Sequence, residues 1–259
     1  MLQTFAKYQG TGNDFIIIDN RNLIFNKNTL LIQQLCDRKF GIGADGLMLI
    51  ENDDHYDFKM VYYNADGNES TMCGNGGRCI AHYAFQLGIT TNKGKFIAID
   101  GEHDFEIKAD GAVKLKMIDV NKIDKDGDAF VLFTGSPHFV LMKDNITIDD
   151  FVAQAKAIRY NDTYAKEGIN VNFINTNDID NISMRTYERG VEDETLSCGT
   201  GTVAVALTVA SIKAINAGSL PIQTPGGELR VYFTQNNHQF SDIWLEGPAV
   251  NVFNGKIEL

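Results

Sequence analysis

Little in this sequence supports a covalent scaffold, a membrane span or a nucleic-acid partner. Its 259 residues hold four cysteines, Cys36, Cys73, Cys79 and Cys198. That is too few for a disulfide framework, so a conspicuous cysteine reads as core or as chemistry. Four prolines leave no proline-rich linker. Positive charge is scarce: 23 Lys and Arg against 34 Asp and Glu give a net charge of -11. Such a chain repels phosphate backbones and anionic headgroups, so neither nucleic acid nor a membrane surface is expected as a partner. No apolar run approaches the roughly 20 residues of a membrane span. The opening stretch from Met1 to Gly10 lacks a basic segment followed by an apolar one, and a cytoplasmic location is expected.

What the chain does have is apolar residues, 44% of the whole, and 24 glycines, enough for substantial cores joined by tight turns. It also repeats itself. Adding 125 to a position in the first half lands on the same chemistry in the second: Cys73-Gly74-Asn75-Gly76 returns as Cys198-Gly199-Thr200-Gly201. Gly43 returns as Gly168, each ahead of an apolar run, and Tyr62 as Tyr187; residues 12–18 map weakly onto 137–143. One offset carrying all of these indicates duplication, with two similar halves joined within 118–128.

Helices are expected over 30–38, 76–87, 148–158 and 200–217, with Thr29 and Thr147 as N-caps and Gly88 and Gly218 as stops. Strands are expected at 15–19, 58–63, 96–99, 113–118, 130–133, 139–142, 182–187, 229–233 and 243–245. Many strands with one long apolar helix per half give an α+β fold: two pseudo-symmetric domains, 1–127 and 128–249, each a curved, mostly antiparallel sheet around a central helix. The helix from Thr200, rich in Val and Ala on every face, should be buried.

Each Cys-Gly-x-Gly falls between a strand and a helix, which sets the sulfur beside the first backbone N–H groups of that helix. A thiol there is acidified, and the same donors attract a carboxylate. Two matched thiols suit removal of a proton beside a carboxylate and its return on the opposite face, chemistry that needs neither metal nor pyridoxal. No cofactor is therefore expected. Cys36 and Cys79, on apolar helix positions, read as small buried hydrophobes. Zinc is disfavoured because C-x5-C at 73 and 79 is not a ligand pattern and the five histidines are scattered. Residues 41–46 fit G-x-G-x-x-G but follow a helix and precede a strand, the reverse of the dinucleotide order; residues 199–204 have the right context without the alternating units around it. Nucleotide binding stays as an alternative.

Gly10-Thr-Gly12-Asn13-Asp-Phe, Gly41-Ile-Gly43-Ala-Asp45-Gly46, Asn64-Ala-Asp-Gly67, Cys73-Gly-Asn-Gly76-Gly-Arg-Cys79, Glu188-Arg189-Gly190 and Cys198-Gly-Thr-Gly201-Thr closely resemble the diaminopimelate epimerases over nearly the whole chain. The resemblance implies a cofactor-independent interconversion of LL- and meso-diaminopimelate, a step toward lysine and cell-wall precursors. It makes Cys73 and Cys198 the base and acid, alternating with direction. Gly74, Asn75, Gly199 and Thr200 would hold the reacting carboxylate. Asn13, Asn64, Asn170, Glu188 and Arg189 would bind the distal amino-acid group. It further implies a homodimer, and a C-terminal strand at about 250–259 that returns to the first domain.

Two features depart from that pattern. Gly135-Ser136-Pro137-His138 stands where the family often has Gly-Asn-Pro-His, shortening an amide to the Ser136 hydroxyl while His138 remains to orient the site. The segment 190–197 is one residue longer than the common form. Racemisation of a simpler amino or imino acid such as proline, and non-catalytic binding of an amino acid or nucleotide, are the competing readings.

Overall fold

In this computed structural model, residues 2–237 and 239–259 are described. The first two strands, β1 (Leu2–Gly10) and β2 (Asn13–Asp19), form a hairpin closed by Thr11 and Gly12, with φ of 49° and 86°. Positive φ at both central positions is the I′ geometry that matches strand twist. Glycine adopts it freely, whereas a β-branched residue there must be held by its surroundings. The turn delivers Asn13 to the start of β2.

Clustering of contacts divides the chain into two compact units, Met1–Leu115 with Gly247–Leu259, and Lys116–Glu246. In the first, α1 (Thr29–Cys36) leads to β3 (Gly46–Glu51), parallel to β2, and β4 (Phe58–Asn64), antiparallel to β3. Short β5 (Glu69–Ser70) folds back on β4 and enters α2 (Gly74–Gln86). Then β6 (Lys93–Ala98) runs parallel to β4, followed by antiparallel β7 (Gly101–Ile107) and β8 (Val113–Lys116).

The second unit repeats this order. After β9 (Asp124–Asp126) comes the hairpin β10 (Ala129–Phe133) and β11 (Pro137–Met142), then α3 (Phe151–Arg159) and β12 (Asn170–Asn175), parallel to β11. Antiparallel β13 (Ile182–Glu188) and short β14 (Asp193–Thr195) enter α4 (Gly199–Lys213). Next, β15 (Ala217–Thr224) runs parallel to β13, with β16 (Gly227–Asn236) and β17 (Gln239–Gly247) closing the order. Finally β18 (Val250–Glu258) lies antiparallel on β1, from Leu2 opposite Glu258 to Gln9 opposite Val250. The fold is α+β, each sheet curling round its helix: α2 packs on β1, β2, β3 and β7, and α4 on β10, β11, β12, β13, β15 and β16. Val203, Val205, Leu207 and Val209 of α4 are all buried, worth about 1.5–3 kcal/mol each by transfer.

Several boundaries differ from the sequence expectation for local reasons. The N-cap of α1 is Asn28, not Thr29: Asn28 Oδ1 accepts from Leu30 N (2.9 Å) and Leu31 N (3.3 Å). Thr147 does not cap α3, which starts at Phe151 after Asp150; Thr147 N instead donates to Asn145 Oδ1 (2.8 Å) in an Asx turn. Gly88 does end α2, with φ 68°. Gly218 does not end α4. That helix stops at Lys213 because Ala214 takes a left-handed conformation (φ 53°), and Gly218 lies within β15.

Candidate active site

Cys73 is the N-cap of α2, in extended conformation, and its sulfur accepts the Gly76 N–H at 3.2 Å. It stands half-buried. The loop from β5 brings it to the end of the sheet where β2 begins, and Cys73 Sγ lies 4.0 Å from Asn13 Oδ1. Asn75 Nδ2 donates to the same Asn13 oxygen at 3.4 Å, while Asn13 Nδ2 donates to Asp45 Oδ2 at 2.6 Å. The amide of Asn13 is thereby oriented, carbonyl toward the cysteine and nitrogen toward Asp45.

Asp45 is itself fixed. Arg38 donates to Asp45 (2.7 Å) and to both oxygens of Asp14 (2.7 and 3.0 Å), and buried Lys7 pairs with Asp14 at 2.7 Å. Burial alone would raise the Asp14 carboxyl, but Arg38 and Lys7 outweigh it and hold the group well below the usual carboxylate range. The strand registers put Asn64 opposite Gly46, at the same sheet end, exposed and followed by the Asn64–Gly67 turn.

Cys198 is the N-cap of α4 and 8% exposed. Behind it runs a chain of polar contacts. Thr186 Oγ1 donates to Asn172 Oδ1 (2.9 Å), and Asn172 Nδ2 donates to Phe139 O (3.0 Å) and to His138 Nδ1 (3.1 Å). Because the carbonyl can only accept, the Asn172 amide orientation is set, and Nδ1 of the imidazole must accept. The ring proton then sits on Nε2, 2.9 Å from Thr200 Oγ1, and the Thr200 hydroxyl stands 3.5 Å from Cys198 Sγ. Burial, with the Arg189 charge second, pulls His138 down to about 3, so the ring is neutral at working pH.

Of the distal-group candidates, Asn170, Glu188 and Arg189 lie at one end of the β12–β13 pair. Asn170 Oδ1 accepts the Arg189 N–H (2.8 Å), and Asn170 Nδ2 donates to Ser136 Oγ (2.9 Å) and Pro137 O (3.0 Å). The Arg189 guanidinium is exposed, donating to Glu167 O (3.1 Å) and Ser136 Oγ (3.4 Å). Glu188 Oε2 accepts from Thr195 Oγ1 (3.0 Å). The segment 190–197 is clasped by Glu192, which accepts from Tyr160 (2.9 Å), Gly190 N (3.1 Å) and Arg159 (3.1 Å).

Cys36 and Cys79 are core residues, their thiols pushed up by burial to about 11 and about 12. Asn172 and Thr186 are absent from the sequence reading, and Asp45 and Arg78 stand there only inside the quoted motifs, with no role assigned. Asn172 could have been found, since Asn170 and Asn172 share one face of a strand. Asp45 lies inside the glycine motif at 41–46.

The diaminopimelate epimerase family model matches this chain twice, over residues 5–123 and 130–252. A diaminopimelate epimerase of Flavobacterium psychrophilum is 52% identical over 252 residues, covering 97% of this chain and 98% of that protein. One of Chlorobaculum tepidum is 40% identical, covering 96% and 99%. A PhzF-family phenazine biosynthesis protein of Bacillus anthracis shares the fold, with a TM-score of 0.77, 15% identity and full coverage of both chains. Matched along both of its halves, the chain belongs to the diaminopimelate epimerase family.

Proposed function

We propose that this protein is an isomerase that interconverts LL- and meso-2,6-diaminopimelate, with Cys73 and Cys198 as the two proton-transfer groups. One thiolate takes the α-proton, and the other sulfur delivers a proton to the opposite face of the same carbon. The N–H groups that open α2 and α4, at Gly74, Asn75, Gly199 and Thr200, hold the reacting carboxylate and stabilise charge developing on it. Asn13 and Asn64, with Asn170, Glu188 and Arg189, bind the distal amino and carboxylate groups; Arg189 is suited to a bidentate carboxylate contact. His138 acts through Thr200, and Ser136 orients Asn170 and Arg189. The reading extends to a homodimer in the cytoplasm, which light scattering and fractionation test.

What carries the reading is the twin placement of cysteines as N-caps of two equivalent helices, in a chain 52% identical to a diaminopimelate epimerase. The test is chiral chromatography of LL-diaminopimelate incubated with the purified protein and with Cys73→Ala and Cys198→Ala. Appearance of the meso isomer with wild type alone supports the proposal. Turnover of proline without turnover of diaminopimelate, or inversion retained in either variant, overturns it.

A further inference from the structure

Glu192 holds a backbone conformation that residues with a side chain rarely take: its φ is 59°, in the turn that joins β13 to β14. The counterpart turn between β4 and β5 fills its left-handed position with glycine, Gly67 at φ 78°. A glutamate persists in such a conformation only where its surroundings fix it.

Four donors do so. Glu192 Oε1 accepts the Gly190 N–H (3.1 Å) and Arg159 Nη2 (3.1 Å), and Oε2 accepts the hydroxyls of Tyr160 (2.9 Å) and Tyr187 (3.4 Å). The Glu192 N–H closes the turn on Glu188 O at 2.8 Å. Burial alone would raise the Glu192 carboxyl, but the Gly190, Tyr160 and Arg159 donors outweigh it, and the group stays ionised at neutral pH.

Arg159 extends the clasp to a second loop. Its side chain is 11% exposed, and Nη1 donates to Tyr164 O (3.4 Å) and Ala165 O (3.3 Å). Those carbonyls belong to the segment that enters β12 through Gly168, where φ is 75°. A Cβ on Gly168 would fall 2.6 Å from Arg189 Cδ and 2.9 Å from Arg159 Nη2, so both arginines lie against this one glycine. From the same segment Glu167 O accepts Arg189 Nη1 at 3.1 Å. Arg189 thus leaves a turn that Glu192 ties down and rests on a loop that Arg159 ties down, while its own side chain stays exposed. Were a stable turn the whole requirement, glycine would meet it, as Gly67 does; the carboxylate adds the link to Arg159.

We infer that Glu192 and Arg159 are positioning residues that set the direction of Arg189, and through it the affinity for the distal carboxylate of the substrate. The inference rests on the reading above in which Arg189 binds that carboxylate.

The test is steady-state kinetics with diaminopimelate for wild type, Glu192→Gly and Glu192→Gln, each also placed in an Arg189→Lys background. Glycine fits the backbone conformation, so Glu192→Gly keeps the turn and loses only the clasp. Its KM should rise about tenfold while kcat stays within about twofold, the pattern of lost binding. Glu192→Gln keeps an acceptor oxygen without the charge that faces Arg159, and its KM should rise about threefold. In Arg189→Lys, Glu192→Gly should raise KM by less than about twofold further, because both changes act on one contact. A merely structural role lowers the melting temperature alike in both backgrounds and leaves KM in place. An unmoved KM in folded Glu192→Gly, a fall in kcat at constant KM, or an undiminished rise in Arg189→Lys overturns the inference. If the glycine variant does not fold, an unmoved KM in Glu192→Gln does so. Each of these leaves wild-type turnover of diaminopimelate intact; absence of that turnover in wild type is a different result, which removes the functional reading and the inference with it.

Discussion

His138 Nε2 lies 2.9 Å from Thr200 Oγ1, and the contact makes the threonine hydroxyl a donor toward Cys198. Thr186 and Asn172 behind the ring fix its tautomer, so the chain ends in a single aimed hydrogen bond. A bond to an ionised sulfur is worth roughly 1.5–3 kcal/mol. Thr200→Val should therefore lower kcat about ten- to a hundredfold with little change in KM, because the backbone N–H that holds carboxylate is retained. Steady-state kinetics check this; an unchanged kcat contradicts it.

The same histidine leaves a signature in stability. Its folded pKa, about 3, lies below the ordinary value of about 6.5. Between those values the unfolded chain binds the extra proton. The contribution of His138 is thus complete above about 6.5 and is lost as pH falls toward the folded value. Urea unfolding from pH 7 to 4 should show wild type losing up to roughly 1.4 kcal/mol more per pH unit than His138→Gln in that window. Depression of Asp14 acts in the same direction in both proteins and cancels in the comparison. Parallel curves would refute the assignment.

Ser136 joins Asn170 and Arg189 through one hydroxyl, at 2.9 and 3.4 Å. Ser136→Ala removes one hydrogen bond from each, leaving Asn170 on Pro137 O and the Arg189 N–H and Arg189 on Glu167 O, and each lost hydrogen bond is worth about 0.5–1.5 kcal/mol. KM for diaminopimelate should rise several-fold while kcat holds, and Ser136→Asn should recover most of the loss. A fall in kcat at constant KM would place Ser136 in the chemical step instead.

Much of this architecture was legible because the chain is duplicated. The strand, cysteine, glycine, helix order around Cys73 and Cys198 is local, and glycine at 43 and 168 takes positive φ in both units (81° and 75°). Less local features were hidden. Asn28 outcompeted Thr29 as a cap by a one-residue shift that propensity does not resolve. The helix pattern after Thr200 runs on through alanines toward 217, and only tertiary pairing of β15 with β13 and β16 converts Ala217–Thr224 to strand. β1 and β7 were overlooked because they show no clear period-two pattern; β1 is buried at four consecutive positions.

The site divides likewise. The candidates placed by the backbone at helix starts, Cys73, Gly74, Cys198 and Gly199, followed from the strand-to-helix pattern. Arg78, Asn172 and Thr186 did not. A lone arginine on a helix, or a polar residue on a strand, reads as solvent-facing until burial is known.

The most direct measurement of the two-thiol account is isotope incorporation from LL-diaminopimelate in deuterium oxide at low conversion, read by mass spectrometry and nuclear magnetic resonance. Two separate acids predict one deuterium at the inverted α-carbon of the meso product, while the recovered LL substrate stays protiated. Deuterium entering recovered substrate as fast as product, or meso product that retains the original hydrogen, would mean that a single group serves both faces.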